Sequence, residues 1–95
     1  MKITVESIGL PNLTAVIGKK TKIEFKGRTV SDLLEQLIEC FCAKDRKMLL
    51  DGEGQLAMTI QVMVNTEGFL ARDKFHKHVL KEGDHIRFVL LVDGG

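Results

Sequence analysis

The stretch "RTVSDLLEQLIECFCAKDRK" constrains the fold of this chain more than any other. Val30, Leu33, Leu34, Leu37, Ile38 and Phe41 recur at i, i+3, i+4, i+7, i+8 and i+11, a single apolar stripe along a helix. Thr29, with Asp32 three residues on, matches a capping box, in which the hydroxyl and the carboxylate each take a free amide of the first turn. Asp32 and Glu35 near the start, and Lys44, Arg46 and Lys47 near the end, suit the helix dipole. Such a helix must lay its stripe on another layer.

The segments around it supply that layer as strands. "KITVES" alternates, with Ile3 and Val5 on one face, and "TKIEFKG" turns Ile23 and Phe25 inward. Between them "GLPNLTAVIGKK" holds the only proline and two glycines, and reads as a long turn or wide hairpin loop. After the helix, "LLDGEGQLAMT" is loop, and "TIQVMVNTEGF" is a strand with Ile60, Val62 and Val64 on one face and a turn at "NTEG". "LARDKFHKHVL" carries no single period and fits either a short helical turn or a ragged strand. "KEGD" is a tight turn. "HIRFVLLV" closes the series, with Ile86, Phe88, Leu90 and Val92 on one face and His85, Arg87, Val89 and Leu91 on the other. The predicted class is α+β, in the order strand, strand, helix, strand, short piece, strand.

Ninety-five residues are read as one domain, residues 1–95, with 92–95 as a flexible C-terminal tail. A formal net charge of +1 gives no field that argues for nucleic acid or an anionic membrane. The lysines of "GKKTKIEFKGR" read as an exposed strand face. No segment reaches the ~18 apolar residues of a membrane span, and "MKITVESI" lacks the apolar core of a signal peptide. Cys40 and Cys42 point to different sides of a helix and cannot pair without distortion, which gives a reduced, cytoplasmic reading. Each is read as a small buried or half-buried hydrophobe.

Little here equips an enzyme. Ser7 and Ser31 lack a nucleophile motif, and no phosphate-cradling glycine loop is present. His76 and His78 would share one strand face, but no cysteine or carboxylate at ligand spacing completes a metal site, so they and His85 read as surface histidines. Asp51 and Glu53 read as turn formers. The chain is taken as a non-enzyme, with no stably bound cofactor.

The last residues, "LLVDGG", stand apart. At an average glycine usage of ~7%, two glycines in these places arise by accident in roughly 0.5% of chains. The plain alternative is a frayed end. A glycine pair has no Cβ and lies extended in channels too narrow for other residues. At ~3.3–3.6 Å per residue, the five residues from Leu91 reach roughly 16–18 Å from a strand that holds their base. That would present the Gly95 carboxylate inside a partner's site. A carboxylate is a poor electrophile until activated, and adenylation by ATP is the usual biochemical activation. On the outer face of the last strand, Val89 and Leu91 form either a docking patch beside the tail or a pair packed under the loop before Gly83.

Three local matches, "TVSDLLEQL", "IQVMVNTEG" and "LKEGDHIRFVLLVDGG", make the chain resemble the ubiquitin-like β-grasp sulfur carriers, in particular the small subunit of molybdopterin synthase and the thiamine-pathway carriers. The resemblance covers most of the chain outside residues 9–20 and 43–58. It implies a β-grasp fold, a mixed sheet of four or five strands with one main helix across one face. It also implies that an adenylating partner resembling the ubiquitin-activating enzymes uses ATP and Mg²⁺ to activate Gly95, and that a sulfur donor enzyme supplies a persulfide sulfur to make a thiocarboxylate. The large subunit of a synthase would receive that sulfur. The resemblance carries over Gly94 and Gly95, with Gly95 expected to bear the reacting group and Gly83 and Asp84 to form a structural turn. Gly94, with Asp93, Val92, Leu91 and Val89 of the tail and the strand before it, is expected to meet the partners. The chain departs from the molybdopterin pattern in having Leu90 and Leu91 where two prolines are usual and Asp93 where a small residue is common. A protein modifier joined through Gly95, and a carrier for tRNA thiolation, share the same ending.

Overall fold

Alternation in the first strand places Ile3, Val5 and Ser7 on the buried side of β1 (Lys2–Ile8). The computed structural model describes residues 1–40, 46, 47, 49–53 and 55–90. β2 (Lys20–Glu24) pairs antiparallel with β1, with Ile3 opposite Ile23 and Val5 opposite Thr21. β4 (His85–Leu90) runs parallel to β1 on its other side, with Val5 beside Ile86 and Ser7 beside Phe88. β3 (Ile60–Val64) is antiparallel to β4, with Val62 opposite Phe88. The described strands form a mixed four-stranded sheet in the order β2-β1-β4-β3.

Between β1 and β2 the chain forms a helix, α1 (Pro11–Ile17), where the sequence reading expected a loop. Pro11 occupies the first turn, where its missing N–H is no loss and its fixed φ suits the helix. Leu10 and Leu13 are buried and Ile17 partly so, which is the apolar side of two short turns. Ser7, the one polar side chain in the core among the described residues, is satisfied by the Thr14 hydroxyl at 2.5 Å.

α2 (Val30–Ile38) is the expected amphipathic helix. Val30, Leu33 and Leu37 join Phe25, Val62 and Phe88 in one core, so the helix lies across the inner face of the sheet. Each such side chain contributes about 1.5–3 kcal/mol by leaving water. The capping box is formed: Thr29 Oγ1 accepts from Asp32 N at 3.3 Å, and Asp32 Oδ2 accepts from Thr29 N at 3.1 Å. The amide of Arg28 adds a bond at 2.9 Å. These backbone donors hold the Asp32 carboxyl below its ordinary value, against partial desolvation. Gly27 permits the tight entry, since a Cβ there would run into Asp32 and the Phe25 ring.

The helix stops at Ile38, nine residues short of Lys47. The amide of Cys40 bonds Leu37 O, a tightening of the last turn. Arg46 Nε donates to Ile38 O at 3.1 Å, so a basic side chain does meet the helix end, from beyond it. Cys40, past the last helical residue, is exposed rather than buried, because the stripe no longer governs where it points. Phe41, Cys42 and Lys44 lie outside the described residues.

The ambiguous "LARDKFHKHVL" contains a turn of 3₁₀ helix, Arg72–Lys74. His76 and His78 follow that turn rather than lying on a strand, with His78 N bonding Lys74 O. The chain then tethers the start of α2: Val30 N donates to His78 O and Leu80 N to Arg28 O.

Candidate functional site

The strand that carries the tail is held from both sides. Ile86 and Phe88 are buried, and β4 bonds to β1 along one edge and β3 along the other. Its start is fixed by the Lys81–Asp84 turn, where Gly83 takes φ +83°, a conformation glycine adopts without a Cβ penalty. Asp84 Oδ2 accepts from Lys81 N at 2.8 Å, and Asp84 N bonds Lys81 O. Asn65, itself at φ 51°, locks this turn to the end of β3. Its Nδ2 donates to Asp84 Oδ1 at 3.0 Å, its Oδ1 accepts from His85 N at 2.8 Å, and its own amide bonds His85 O. The expected Gly83–Asp84 turn is therefore structural.

Leu90, half-buried against the core, is the last described residue of the strand. Leu91, Val92, Asp93, Gly94 and Gly95, the residues expected to meet partners and carry the reaction, lie outside the described residues. Leu90 itself lies beside the end of β1, where a Cβ on Gly9 would touch it at 3.4 Å.

Val89 is half-buried on the outer face of the sheet. It lies between Ile8 of β1 and Gln61 of β3, and one row on Met63 pairs with Phe69. Ile8 is 41% and Phe69 56% exposed, and what makes them informative is that they share one face with Val89 and Met63. The loop before Gly83 sits at the opposite end of β4, beside Lys2 and Thr4, so it does not cover Val89. Val89 therefore belongs to an apolar outer face that continues toward Phe69. Ile8, Met63 and Phe69 carry no local motif. Only the neighbouring of β1 with β4 would have revealed them.

Beside this patch sits a polar cluster. Glu6 Oε1 lies 2.8 Å from His85 Nε2 and 3.3 Å from Arg87 Nε, and Arg87 Nη1 donates to Asn65 O at 3.3 Å. Partial desolvation pushes the Glu6 carboxyl upward, but the hydrogen bonds and charges of Arg87 and His85 outweigh it and hold Glu6 below its ordinary value. A lowered carboxyl stabilises the fold above the unfolded-state pKa of ~4.3 and loses that contribution as pH falls through its folded value. Glu6→Gln is thus expected to lower the urea midpoint at pH 7. The gap from the parent should narrow as pH is taken from about 5 to 3. A gap that stays constant over that range would show that the pairing does not govern stability. Among the described residues, no three His, Cys, Asp or Glu side chains converge as metal ligands, and no helix is long and apolar enough to cross a membrane.

A mixed sheet with a parallel central pair and a helix across one face is a ubiquitin-like β-grasp. Neither a protein-family model nor a curated protein sequence matches the chain. Its neighbours in structure are ubiquitin-like β-grasp sulfur carriers, small carrier or modifier proteins rather than catalysts. The crystal structure of SAMP1 from Haloferax volcanii aligns over 100% of both chains at 21% identity, with a TM-score of 0.73. CysO, from the BexX/CysO complex of Amycolatopsis orientalis, aligns over 98% of this chain and 99% of that one, at 26% identity and TM-score 0.67. Urm1 from Trypanosoma brucei aligns over 99% and 95%, at 25% identity and TM-score 0.66.

Proposed function

We propose that this protein is a sulfur carrier, loaded at a C-terminal Gly95 carboxylate and acting as a sulfur-donating co-substrate of partner enzymes. The observation that supports this reading most is the placement of "LVDGG" directly after β4, a central strand pinned by β1, β3 and the Asn65–Asp84 lock. A rigid base with a slender end suits insertion into another protein's site. The likeness in fold to carriers, one of them taken from a complex with BexX, adds support.

The chemistry runs in two steps. An adenylating partner, using its own ATP and Mg²⁺, joins the Gly95 carboxylate to AMP and releases pyrophosphate. A persulfide sulfur from a donor enzyme then attacks the acyl carbon and AMP leaves. Reductive cleavage of the resulting acyl disulfide by a thiol leaves a thiocarboxylate. The chain itself supplies the acyl group and the docking surface, with Val89 and Ile8 at the tail's base. For the receiving reaction, the resemblance of "LKEGDHIRFVLLVDGG" favours a molybdopterin synthase large subunit.

Intact-mass spectrometry tests this. With the activating enzyme, ATP and a sulfur source, a gain of ~16 Da is expected as one carboxylate oxygen is replaced by sulfur. An unchanged mass with enzymes competent on another carrier would overturn the reading. Isopeptide-linked adducts in place of the gain would favour a protein modifier.

A further inference from the structure

β2 stands at one edge of the described sheet. Ser7 N bonds Lys19 O, and Met1 and Phe25 exchange both backbone bonds. In an antiparallel ladder, bonded pairs alternate, so Thr21 and Ile23 face β1 while the backbone groups of Lys20, Lys22 and Glu24 point away from the sheet. At one end of this edge Gln36 of α2 stands in for a missing strand: its Nε2 donates to Glu24 O at 2.8 Å and its Oε1 accepts from Lys26 N at 3.3 Å. Among the described residues, nothing bonds the outward backbone groups of Lys20 and Lys22 or the amide of Glu24.

Charge decides what fits there. Lys19, Lys20, Lys22 and Lys26 are all exposed along the edge, and Glu24, the one acid among them, is engaged by the Met1 amine at 3.4 Å. A second copy is disfavoured, because pairing about Lys22 sets that lysine against itself. The α2 side of the groove carries Asp32, Glu35 and Glu39 beside Lys26 and Gln36. A nucleic acid or a polyacidic run would be repelled there.

We propose that the β2 edge binds an extended segment of a partner protein by strand addition, with carboxylates at alternate positions facing Lys20 and Lys22 and uncharged residues facing α2 and Ile23. Backbone bonds supply attachment and the alternating charges supply selection.

The capped peptide Glu-Val-Glu-Val-Glu-Val-Glu, titrated into the isotope-labelled chain, tests this by amide shifts and hydrogen exchange. Shifts should centre on Lys20–Glu24, with exchange at Lys20, Lys22 and Glu24 slowed about tenfold at nine-tenths occupancy. The Lys-Val counterpart should not bind, and the same acidic peptide N-methylated at every residue, so that no amide can donate to β2, should lose binding. Lys22→Glu, checked for folding by circular dichroism, should exchange the two preferences. Overturning results are equal binding of the acidic and basic peptides, full binding of the N-methylated peptide, shifts centred elsewhere, or no binding.

Discussion

A chain lacking Gly95 is expected to unfold at the same denaturant concentration as the parent and to show no ~16 Da gain in the loading reaction. The two halves of that result follow from different parts of the molecule. Among the described residues, stability resides in the core from Ile3 to Phe88, against which Leu90 packs partly buried. Gly95 lies five positions beyond Leu90 in the sequence, and its removal is expected to leave that core intact. On the proposed reading, loading needs an acyl carbon at the distance, and in a channel of the width, that glycine's shape permits. Gly94→Val retains the carboxylate but adds a branched Cβ, and a displacement of about 1 Å at the reacting atom costs on the order of 10²-fold in rate. The exposed Cys40 supplies the control. A persulfide on its thiol would add a whole sulfur, ~32 Da, and would vanish in Cys40→Ser, whereas a thiocarboxylate replaces oxygen and would not. A chain without Gly95 that still gains ~16 Da would remove the terminus from the mechanism.

The elements that were legible in the sequence are those with a period and a boundary. Val30, Leu33 and Leu37 with the Thr29 cap fixed the start of α2, and alternation fixed the inward faces of β1, β3 and β4. α1 was not legible. Its apolar side is only Leu10, Leu13 and Ile17, too short to show a period, and Pro11 reads as a breaker until its first-turn position is known. The end of α2 was misplaced because Phe41 and the basic residues continue the helical pattern beyond Ile38. Of the candidate site, the glycines and Val89 were visible locally. Ile8, Met63 and Phe69 were not, because their shared face depends on strand neighbours far apart in sequence. The role of Arg72 was equally hidden, since "ARDKF" gives no sign of what a guanidinium gathers around it.

Arg72→Met is expected to lower stability by about 2–4 kcal/mol, a large share of the ~5–15 kcal/mol typical of a domain. Arg72 Nη1 donates to Leu56 O at 2.5 Å, and Nη2 donates to Ala57 O and Ile60 O, both at 2.6 Å. One half-buried guanidinium thus closes the loop that leads into β3. Methionine keeps much of the stem's packing and removes every donor. Three carbonyls are then left to find water, and their losses are not additive. Arg72→Lys should recover little, because a single ammonium cannot span the fork. The acceptors are neutral, so the effect should persist in high salt, unlike that of a surface ion pair. Ile60 also stands opposite Leu90 in the sheet, so the guanidinium secures the strand next to the tail's base. Amide exchange at Ile60 and Leu90 should therefore rise before exchange in the β1–β2 hairpin. Unchanged urea midpoints and unchanged exchange in Arg72→Met would mean that the sheet holds Leu90 without this clamp, and that the rigid base comes from β1 alone.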